Sequence, residues 1–211
     1  ANRGGDCSTM PALNARAPRR TQEQRSREMR TRLLEATVEC LAEEGYKRTT
    51  LTRVTKRAGT SVGAQQHHFP TKEALVTSAV EYLAEARIEE IRERVADLDG
   101  PPSQKLAAVL DLTWETLSGR LNLATRELWT ASRTDPALAA ALIPAERRTG
   151  RALREMYFQA LPHPTPQLRN ALEFSIDAMR GLAMRQALLG EKETEAQWKR
   201  HRRLILELLQ G

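Results

Sequence analysis

The stretch from residue 49 to residue 69 constrains the fold most, because it has the pattern of two short helices separated by a glycine. Apolar residues recur at three- and four-residue intervals from Leu51 to Ala58, which places them on one face of a helix. The Thr50 hydroxyl precedes this run and is able to accept a hydrogen bond from the free amides of the first turn. Gly59 follows it, and glycine readily adopts the left-handed conformation that ends helices. We therefore predict a short helix from about Thr50 to Ala58 and a tight turn directly after it.

A second short helix is predicted after this turn, from a cap at Thr60 or Ser61 to about His68. Pro70 and Thr71 then end that helix and begin the next. Two short helices joined by a tight turn are typical of the helix-turn-helix, whose second helix lies in the major groove of DNA. The pattern therefore indicates a nucleic-acid-binding domain.

The second helix is the one that we expect to meet DNA. Val62 and Phe69 are expected to point back into the core, while the small and polar residues between them face outward and allow a close approach to DNA. Lys72 lies in the first turn of the following helix and is a cation able to reach a phosphate. The candidate DNA-binding residues are Thr50, Thr60, Ser61, Val62, Gly63, Ala64, Gln66, His67, His68 and Lys72.

The charge is divided unevenly along the chain. Residues 1–72 hold 14 Lys and Arg against 7 Asp and Glu, whereas residues 73–211 hold 19 against 20, so the excess of +6 is entirely N-terminal. A basic segment joined to a nearly neutral one suits a protein whose first part binds a polyanion. A membrane surface is also anionic, but the first helix needs its apolar residues, such as Leu33 and Leu41, for its own core. Double-stranded DNA is the better partner, and no membrane partner is expected.

Residues 1–24 are predicted to be a disordered basic tail, since they lack apolar periodicity. Their arginines either contact DNA or merely keep the chain soluble, and both interpretations stay open. No apolar run is long enough for a signal peptide or a membrane-spanning helix. Cys7 and Cys40 form neither a disulfide framework nor a metal-ligand pattern, and no cofactor motif is present. A cytoplasmic location is therefore expected.

The remainder of the chain is predicted to be helical, which makes the fold all-α with about nine helices. From residue 71 onward, apolar residues recur at helical spacing between Pro and Gly breaks, and only 4% of the residues are aromatic. The breaks place the eighth helix over residues 166–189 and the ninth over about 194–209. Pro144 is expected to interrupt the seventh helix.

Six short motifs resemble the DNA-binding domain of the tetracycline-repressor (TetR) family of bacterial transcription regulators over residues 28–80. Gln66 departs from the family pattern, because it lies where an aromatic residue is usual, and Gln65 occupies a commonly apolar position. Gln66 bonds a phosphate, reads an adenine edge or is merely solvated, and the sequence leaves these alternatives open. In order, the motifs are LLEATVECLAEEGY (33–46), TTL (49–51), AGTS (58–61), Gly63, HF (68–69) and KEAL (72–75).

Surplus apolar surface on the last two helices predicts a partner, with burial inside a single protomer as the alternative, and the resemblance implies a homodimer paired as a four-helix bundle. The predicted interface residues are Ala171, Phe174, Ala178, Leu182, Leu189, Trp198, Ile205 and Leu209. The resemblance also implies that a small-molecule effector binds among the fourth to eighth helices. The predicted ligand-binding residues are Trp114, Trp129, Tyr157 and Phe174, although helix-spaced aromatic residues also occur as plain core.

The sequence as a whole predicts a DNA-binding transcriptional regulator, a repressor that a small-molecule effector releases from a pseudo-palindromic operator. Residues 25–72 form the helix-turn-helix domain and residues 73–211 the effector-binding and dimerisation domain in this interpretation. The alternative is a helical dimeric interaction protein that has lost specific DNA binding. No nucleophile-base pairing, phosphate-binding glycine loop or metal-ligand set indicates an enzyme.

Overall fold

The computed structural model describes residues 21–96, 99–160 and 165–210, and these form nine α-helices without a strand. The predicted all-α class is confirmed for this part of the chain. In order, the helices are α1 (Gln22–Glu44), α2 (Leu51–Arg57), α3 (Val62–His68), α4 (Lys72–Ala96), α5 (Pro102–Ser118), α6 (Arg120–Ser132), α7 (Pro136–Ala160), α8 (Pro166–Leu189) and α9 (Glu191–Gln210).

Helix α1 begins at Gln22, inside the segment that the sequence predicted to be a disordered tail. Thr21 caps it: its hydroxyl accepts a hydrogen bond from the Gln24 N–H at 3.1 Å, and the Gln24 side chain accepts one from the Thr21 N–H at 2.8 Å. This reciprocal pair starts a helix without any apolar periodicity. The predicted disordered tail is therefore wrong for residues 21–24, and its first 20 residues lie outside the described ranges.

Helices α2 and α3 follow the predicted pattern of caps and turn. The Thr50 hydroxyl accepts a hydrogen bond from the Arg53 N–H at 3.3 Å, and the Ser61 hydroxyl accepts one from the Ala64 N–H at 3.2 Å. Gly59 between them has a φ of 61°, the left-handed conformation expected of a helix-ending glycine. Of the two predicted caps for the second helix, Ser61 is the one that the structure uses.

The remaining helices pack around a larger core, in which α8 and α9 form an antiparallel hairpin at Gly190. The Trp114 ring on α5 stacks on the Trp198 ring of α9, with centroids 5.0 Å apart. The guanidinium of Arg202 on α9 binds both carboxylate oxygens of Asp111 on α5, at 2.5 and 2.7 Å. These contacts fasten the last helix to the interior of its own protomer.

Helix α7 runs through Pro144 instead of stopping there, so the predicted interruption is wrong. Leu142 and Ala145 flank the proline and are buried, at 5% and 2% exposure, against α4 and α6. Pro144 itself faces solvent. Burial of the apolar face on both sides of the proline outweighs the hydrogen bond that the Ala140 carbonyl loses within the helix.

Helix α9 begins at Glu191 rather than at the predicted Thr194, because Gly190 with a φ of 77° turns the chain at once. Helix α8 has the predicted bounds, with the Thr165 hydroxyl capping Leu168 at 3.2 Å and Pro166 in the first turn. Within the described ranges, no helix combines the length and apolar character needed to cross a membrane.

The substitution Pro144→Ala is expected to raise the free energy of unfolding by about 2 kcal/mol, because it restores a backbone N–H donor to the Ala140 carbonyl and removes a steric conflict. Pro136→Ala is the matched control, because Pro136 lies at the first helical position, where proline fits and no hydrogen bond is lost. Urea denaturation of the three proteins measures both effects. An equal change in both variants would contradict this account of Pro144.

Candidate nucleic-acid interface

A small apolar core determines where α3 lies. Val54 of α2 and Phe69 after α3 are fully buried against α1 and α4. The guanidinium of Arg30 covers the outer side of the Phe69 ring at 5.3 Å. The other buried members of this core are Leu33, Leu34, Ala36, Cys40, Leu75 and Ala79. Because α1 and α4 are long and α3 has seven residues, the long helices set the direction of the short one.

The outward edge of α3 carries small, apolar and amide side chains. Gly63, Gln66 and His67 are exposed as predicted, and Ala64 is half-buried. Val62 was predicted to point inward, and this prediction is wrong because 56% of its surface is exposed. As the first residue of α3, Val62 directs its side chain beyond the end of the core. An exposed valine here offers an apolar contact to a thymine methyl group.

Gln65, and not Val62, is the inward-facing residue of the first turns of α3. It is 1% exposed, and its side-chain amide donates a hydrogen bond to the backbone carbonyl of Phe69. That carbonyl lies just past the end of α3, where helical partners are missing. Gln65 therefore replaces the apolar residue that is usual at this position with one that is both buried and hydrogen-bonded. It shapes the end of the helix and does not face DNA.

Lys72 binds within the protein. Its ammonium group donates a hydrogen bond to the Tyr46 carbonyl at 2.9 Å and lies 4.2 Å from the centre of the Tyr46 ring. Burial lowers the pKa of Lys72 from its ordinary value. Lys72 therefore fastens the first turn of α4 to the chain that follows α1. A DNA phosphate near Lys72 could accept only from the ammonium N–H groups that the Tyr46 carbonyl leaves free.

Other cations around α2 divide into two groups. Arg57 binds the carboxylates of Glu39 at 3.1 Å and Glu43 at 2.5 Å, which fastens α2 to α1. These hydrogen bonds raise the pKa of Arg57 and lower that of Glu43. Lys47 and Lys56 are exposed and form no ion pair with another described residue. The side chains of Lys47 and Lys56 therefore suit contacts with DNA phosphates. The sequence alone did not distinguish these two lysines from Arg57, which is held by carboxylates.

The remaining predicted residues flank this edge. Thr50 and Ser61 are exposed, while Thr60 and His68 are half-buried. Burial lowers the pKa of His68, and the neighbouring charges of His67 and Arg30 act in the same direction. A neutral imidazole at His68 can donate or accept a hydrogen bond but contributes no fixed charge. In the ranges described, no three His, Cys, Asp or Glu side chains cluster so as to hold a metal ion.

The four aromatic residues predicted to bind a ligand do not converge on one pocket. Trp114 and Tyr157 are buried core residues, and the Tyr157 hydroxyl donates to the Thr113 hydroxyl at 2.9 Å. Phe174 is 65% exposed on the outside of α8, so its assignment to an interior pocket is wrong. Trp129 is half-buried, and the guanidinium of Arg180 lies 5.6 Å from its ring. Trp114 alone among the four lines one of the clefts described in this part of the chain, a space of about 500 Å³ shared with the carboxylates of Asp111 and Glu195.

Half of the predicted dimer residues are unavailable to a partner. Their burial within the protomer is explained by the stacking of Trp198 on α5 and by the packing of α8 on α9. They are Leu182, Trp198, Ile205 and Leu209, each at most 4% exposed. Ala171, Ala178 and Leu189 remain half-buried and Phe174 exposed. Leu208 of α9, which the sequence also indicated, is exposed, whereas the sequence reasoning missed the exposed residues Met184, Leu188 and Leu204 of the same two helices.

The chain is similar to several known regulators. Residues 33–79 match the family of bacterial regulatory proteins described as the tetR family. An uncharacterised HTH-type transcriptional regulator of Mycobacterium tuberculosis is 36% identical over 121 residues, which are 56% of this chain and 60% of that protein. The chain therefore spans less than two thirds of that relative. The HTH-type transcriptional regulator CymR of Pseudomonas putida is 31% identical over 193 residues, which are 90% of this chain and 93% of CymR.

The fold is similar to solved structures as well. The transcriptional regulator SCO7518 of Streptomyces coelicolor A3(2) superimposes with a TM-score of 0.60 at 27% sequence identity. The superposition covers 86% of this chain and 96% of SCO7518. The similarity therefore extends beyond the first three helices to the large helical part.

The substitution Gln65→Ala is expected to lower the free energy of unfolding by about 2 kcal/mol, because it removes a buried hydrogen bond and leaves the Phe69 carbonyl unpaired. Gln66→Ala is the matched control at the adjacent exposed position, with an expected change within about 0.5 kcal/mol. Urea denaturation measures both values. An unchanged stability for Gln65→Ala would show that Gln65 does not shape the end of α3.

Proposed function

The chain belongs to the tetracycline-repressor family of bacterial transcription regulators, and we propose that it represses transcription from a pseudo-palindromic operator until a small-molecule effector releases it. The main observation that supports this proposal is the outward edge of α3. Val62, Gly63, Gln66 and His67 are exposed together on a short helix whose opposite side is held by a buried core. Such an edge fits the floor of the major groove.

The side chains of this edge suit base contacts, whereas the cations beside it suit backbone contacts. The Val62 side chain fits a thymine methyl group, and the Gln66 amide fits the paired donor and acceptor of adenine. Lys47 and Lys56 are free to neutralise phosphates. We therefore assign sequence preference to α3 and general affinity to the exposed lysines.

A homodimer through α8 and α9 is part of the same proposal. On α8, Phe174, Gly181 and Leu188 recur at seven-residue intervals, and the two large side chains are 65% and 87% exposed. On α9, Leu204 and Leu208 lie one turn apart and are both more than half exposed. Pairing two such hairpins as a four-helix bundle covers this surface. Two α3 helices about 34 Å apart would then meet successive major grooves.

Effector release requires a link between the large helical part and α3. The Tyr46 N–H donates to the Glu127 carboxylate of α6 at 3.2 Å, and the Tyr46 hydroxyl donates to Asp135 before α7 at 3.4 Å. The chain after α1 is thus attached to the end of α6. We propose that residues 25–72 bind DNA and that residues 73–211 bind the effector. Binding of the effector moves α4 and α6 and so favours the arrangement of the dimer that does not fit DNA.

The alternative function, an interaction protein that has lost DNA binding, depended on the unusual Gln65 and Gln66. The buried hydrogen bond from the Gln65 amide to the Phe69 carbonyl explains the presence of Gln65 as a contribution to stability. Gln65 is therefore no evidence for a loss of DNA binding. The exposed position of Gln66 suits DNA contact. The repressor proposal therefore accounts for more of the observations.

Fluorescence anisotropy with DNA from upstream of the chain's own gene, and with random duplex, tests DNA binding across a salt series. Gln66→Ala is expected to weaken binding about 5- to 100-fold at sites with the preferred base and to relax the preference there. Lys56→Ala is expected to weaken binding to all sequences and to reduce the salt slope by about 1. Equal, sequence-independent losses for both variants would contradict base reading by Gln66.

The substitution Leu188→Glu is expected to weaken dimerisation at least about tenfold, because it would bury an unpaired carboxylate in the proposed bundle. Ile143→Glu is the matched control, since Ile143 is 49% exposed but lies on α7. Sedimentation equilibrium of the two variants and the unsubstituted chain measures the effect. Identical association constants would place the dimer interface elsewhere.

A further inference from the structure

Arg87 on α4 is a buried cation without a partner. It is 5% exposed, its Nε has no hydrogen bond, and no ion pair joins it to another described residue. Burial lowers the pKa of Arg87, and the charge of Glu146 opposes this effect. Burying an unpaired guanidinium is costly, and proteins rarely retain one without a function. Arg87 is therefore the feature of the interior that most requires an external partner.

The surroundings of Arg87 form a small cavity with apolar walls. It has a volume of about 10 Å³, which is room for about one water molecule, and lies between α4, α6 and α7. The hydroxyls of Thr125 and Thr149 line it, but each already donates to a carbonyl of its own helix, Leu121 at 3.5 Å and Ala145 at 3.1 Å. The guanidinium is therefore left as the hydrogen-bond donor to a bound group.

Glu146 connects this cavity with a larger cleft. It lines both the small cavity and a cleft of about 380 Å³ between α7 and α8, which is within the usual size of a ligand site. Arg180 lies in the cleft, 4.0 Å from a Glu146 carboxylate oxygen, and its Nε is also buried without a hydrogen bond. Leu153 and Ile176 add apolar surface to the cleft. Glu146 is thus the residue that the two spaces share.

Two buried guanidinium Nε groups near this junction, those of Arg87 and Arg180, lack a hydrogen-bond acceptor, and Arg147, Arg154 and Glu173 also line the cleft. The charges of Glu146 and Arg180 both act on Arg87, and the Arg180 guanidinium lies 4.0 Å from the Glu146 carboxylate. Glu90 also acts on Arg87, but it lies on the same helix and is 3.9 Å from Arg94. Asp177 is 3.4 Å from the outer side of Arg180. A bound carboxylate would supply the acceptor that these two Nε groups lack.

We propose that the effector is a small organic carboxylate with an apolar body. Its carboxylate binds Arg87 and Arg180, and its apolar part occupies the cleft between α7 and α8. This inference rests on the proposed effector-released repression. Arg87 belongs to α4, whose first turn is attached to Tyr46 through Lys72, and Thr125 belongs to α6. A carboxylate bound here would contact the two helices that hold the DNA-binding part.

The first measurement uses the full chain with straight-chain carboxylates from butyrate to decanoate and with benzoate. The corresponding amides are the matched neutral probes, because they have the same shape without the charge. We expect at least one carboxylate to raise the temperature of thermal unfolding and to release operator DNA in the anisotropy assay, while its amide does neither. Failure of every carboxylate to raise the unfolding temperature, or an equal effect of the amides, would overturn the proposal.

The second measurement compares Arg87→Met with Arg151→Met, a control that removes an exposed arginine from the same protein. Arg87→Met is expected to unfold at the same or a higher temperature, since it removes an unpaired buried charge. It should weaken carboxylate binding at least about tenfold, as should Arg180→Met at the mouth of the site. Arg151→Met should bind as the unsubstituted chain does. An Arg87→Met protein that is much less stable would give Arg87 a structural role and overturn the assignment.

The two proposals fail in distinguishable ways. If the unsubstituted chain without any probe does not bind its upstream DNA, the proposed repression fails, while the thermal measurement still tests the carboxylate site. If the chain binds DNA but no carboxylate stabilises or releases it, the repression proposal stands and the carboxylate proposal is wrong.

Discussion

The burial of the shared apolar face of α1 and α4 is the interaction on which the DNA-binding surface depends. Helices α2 and α3 have seven residues each, too few to be stable alone in water. Val54 and Phe69 attach them to the two long helices. Because only this core orients α3, the position of its exposed edge is as rigid as the packing beneath it. The ion pairs of Arg57 with Glu39 and Glu43 add directional contacts at the surface.

Helices α4 and α6 attach the DNA-binding part to the rest of the chain. Lys72 ties the start of α4 to Tyr46, and Glu127 of α6 receives the Tyr46 N–H. Tyr46 is therefore held from two helices that continue into the large core. A change in their relative position would strain both hydrogen bonds unless the loop after α1 moves with them. This shared attachment is a physical route by which occupancy of the core can alter the direction of α3.

Local chemistry made part of this structure predictable from the sequence. The caps at Thr50 and Ser61, the turn at Gly59 and the bounds of α8 follow from side-chain hydrogen bonding and backbone preference. The contacts that α8 and α9 make were not predictable, because the same apolar periodicity serves burial within a protomer and burial between protomers. Trp198 stacks inside its own chain, whereas Leu188 is exposed, and no spacing rule distinguishes the two.

Three residues are of a type that is unfavourable at the position they occupy in a helix or a core. For each of them, the surrounding contacts show whether the unfavourable energy is offset within the protein. Gln65 is polar in a core position, but its amide is hydrogen-bonded to the Phe69 carbonyl. Pro144 lies inside a helix, but it faces solvent and the apolar residues around it are buried. Arg87 is charged in the interior, and its buried Nε has no hydrogen bond to a described residue. Violations without internal compensation are expected where a protein binds something else. Of the three residues, Arg87 is thus the one that the proposed carboxylate ligand would compensate.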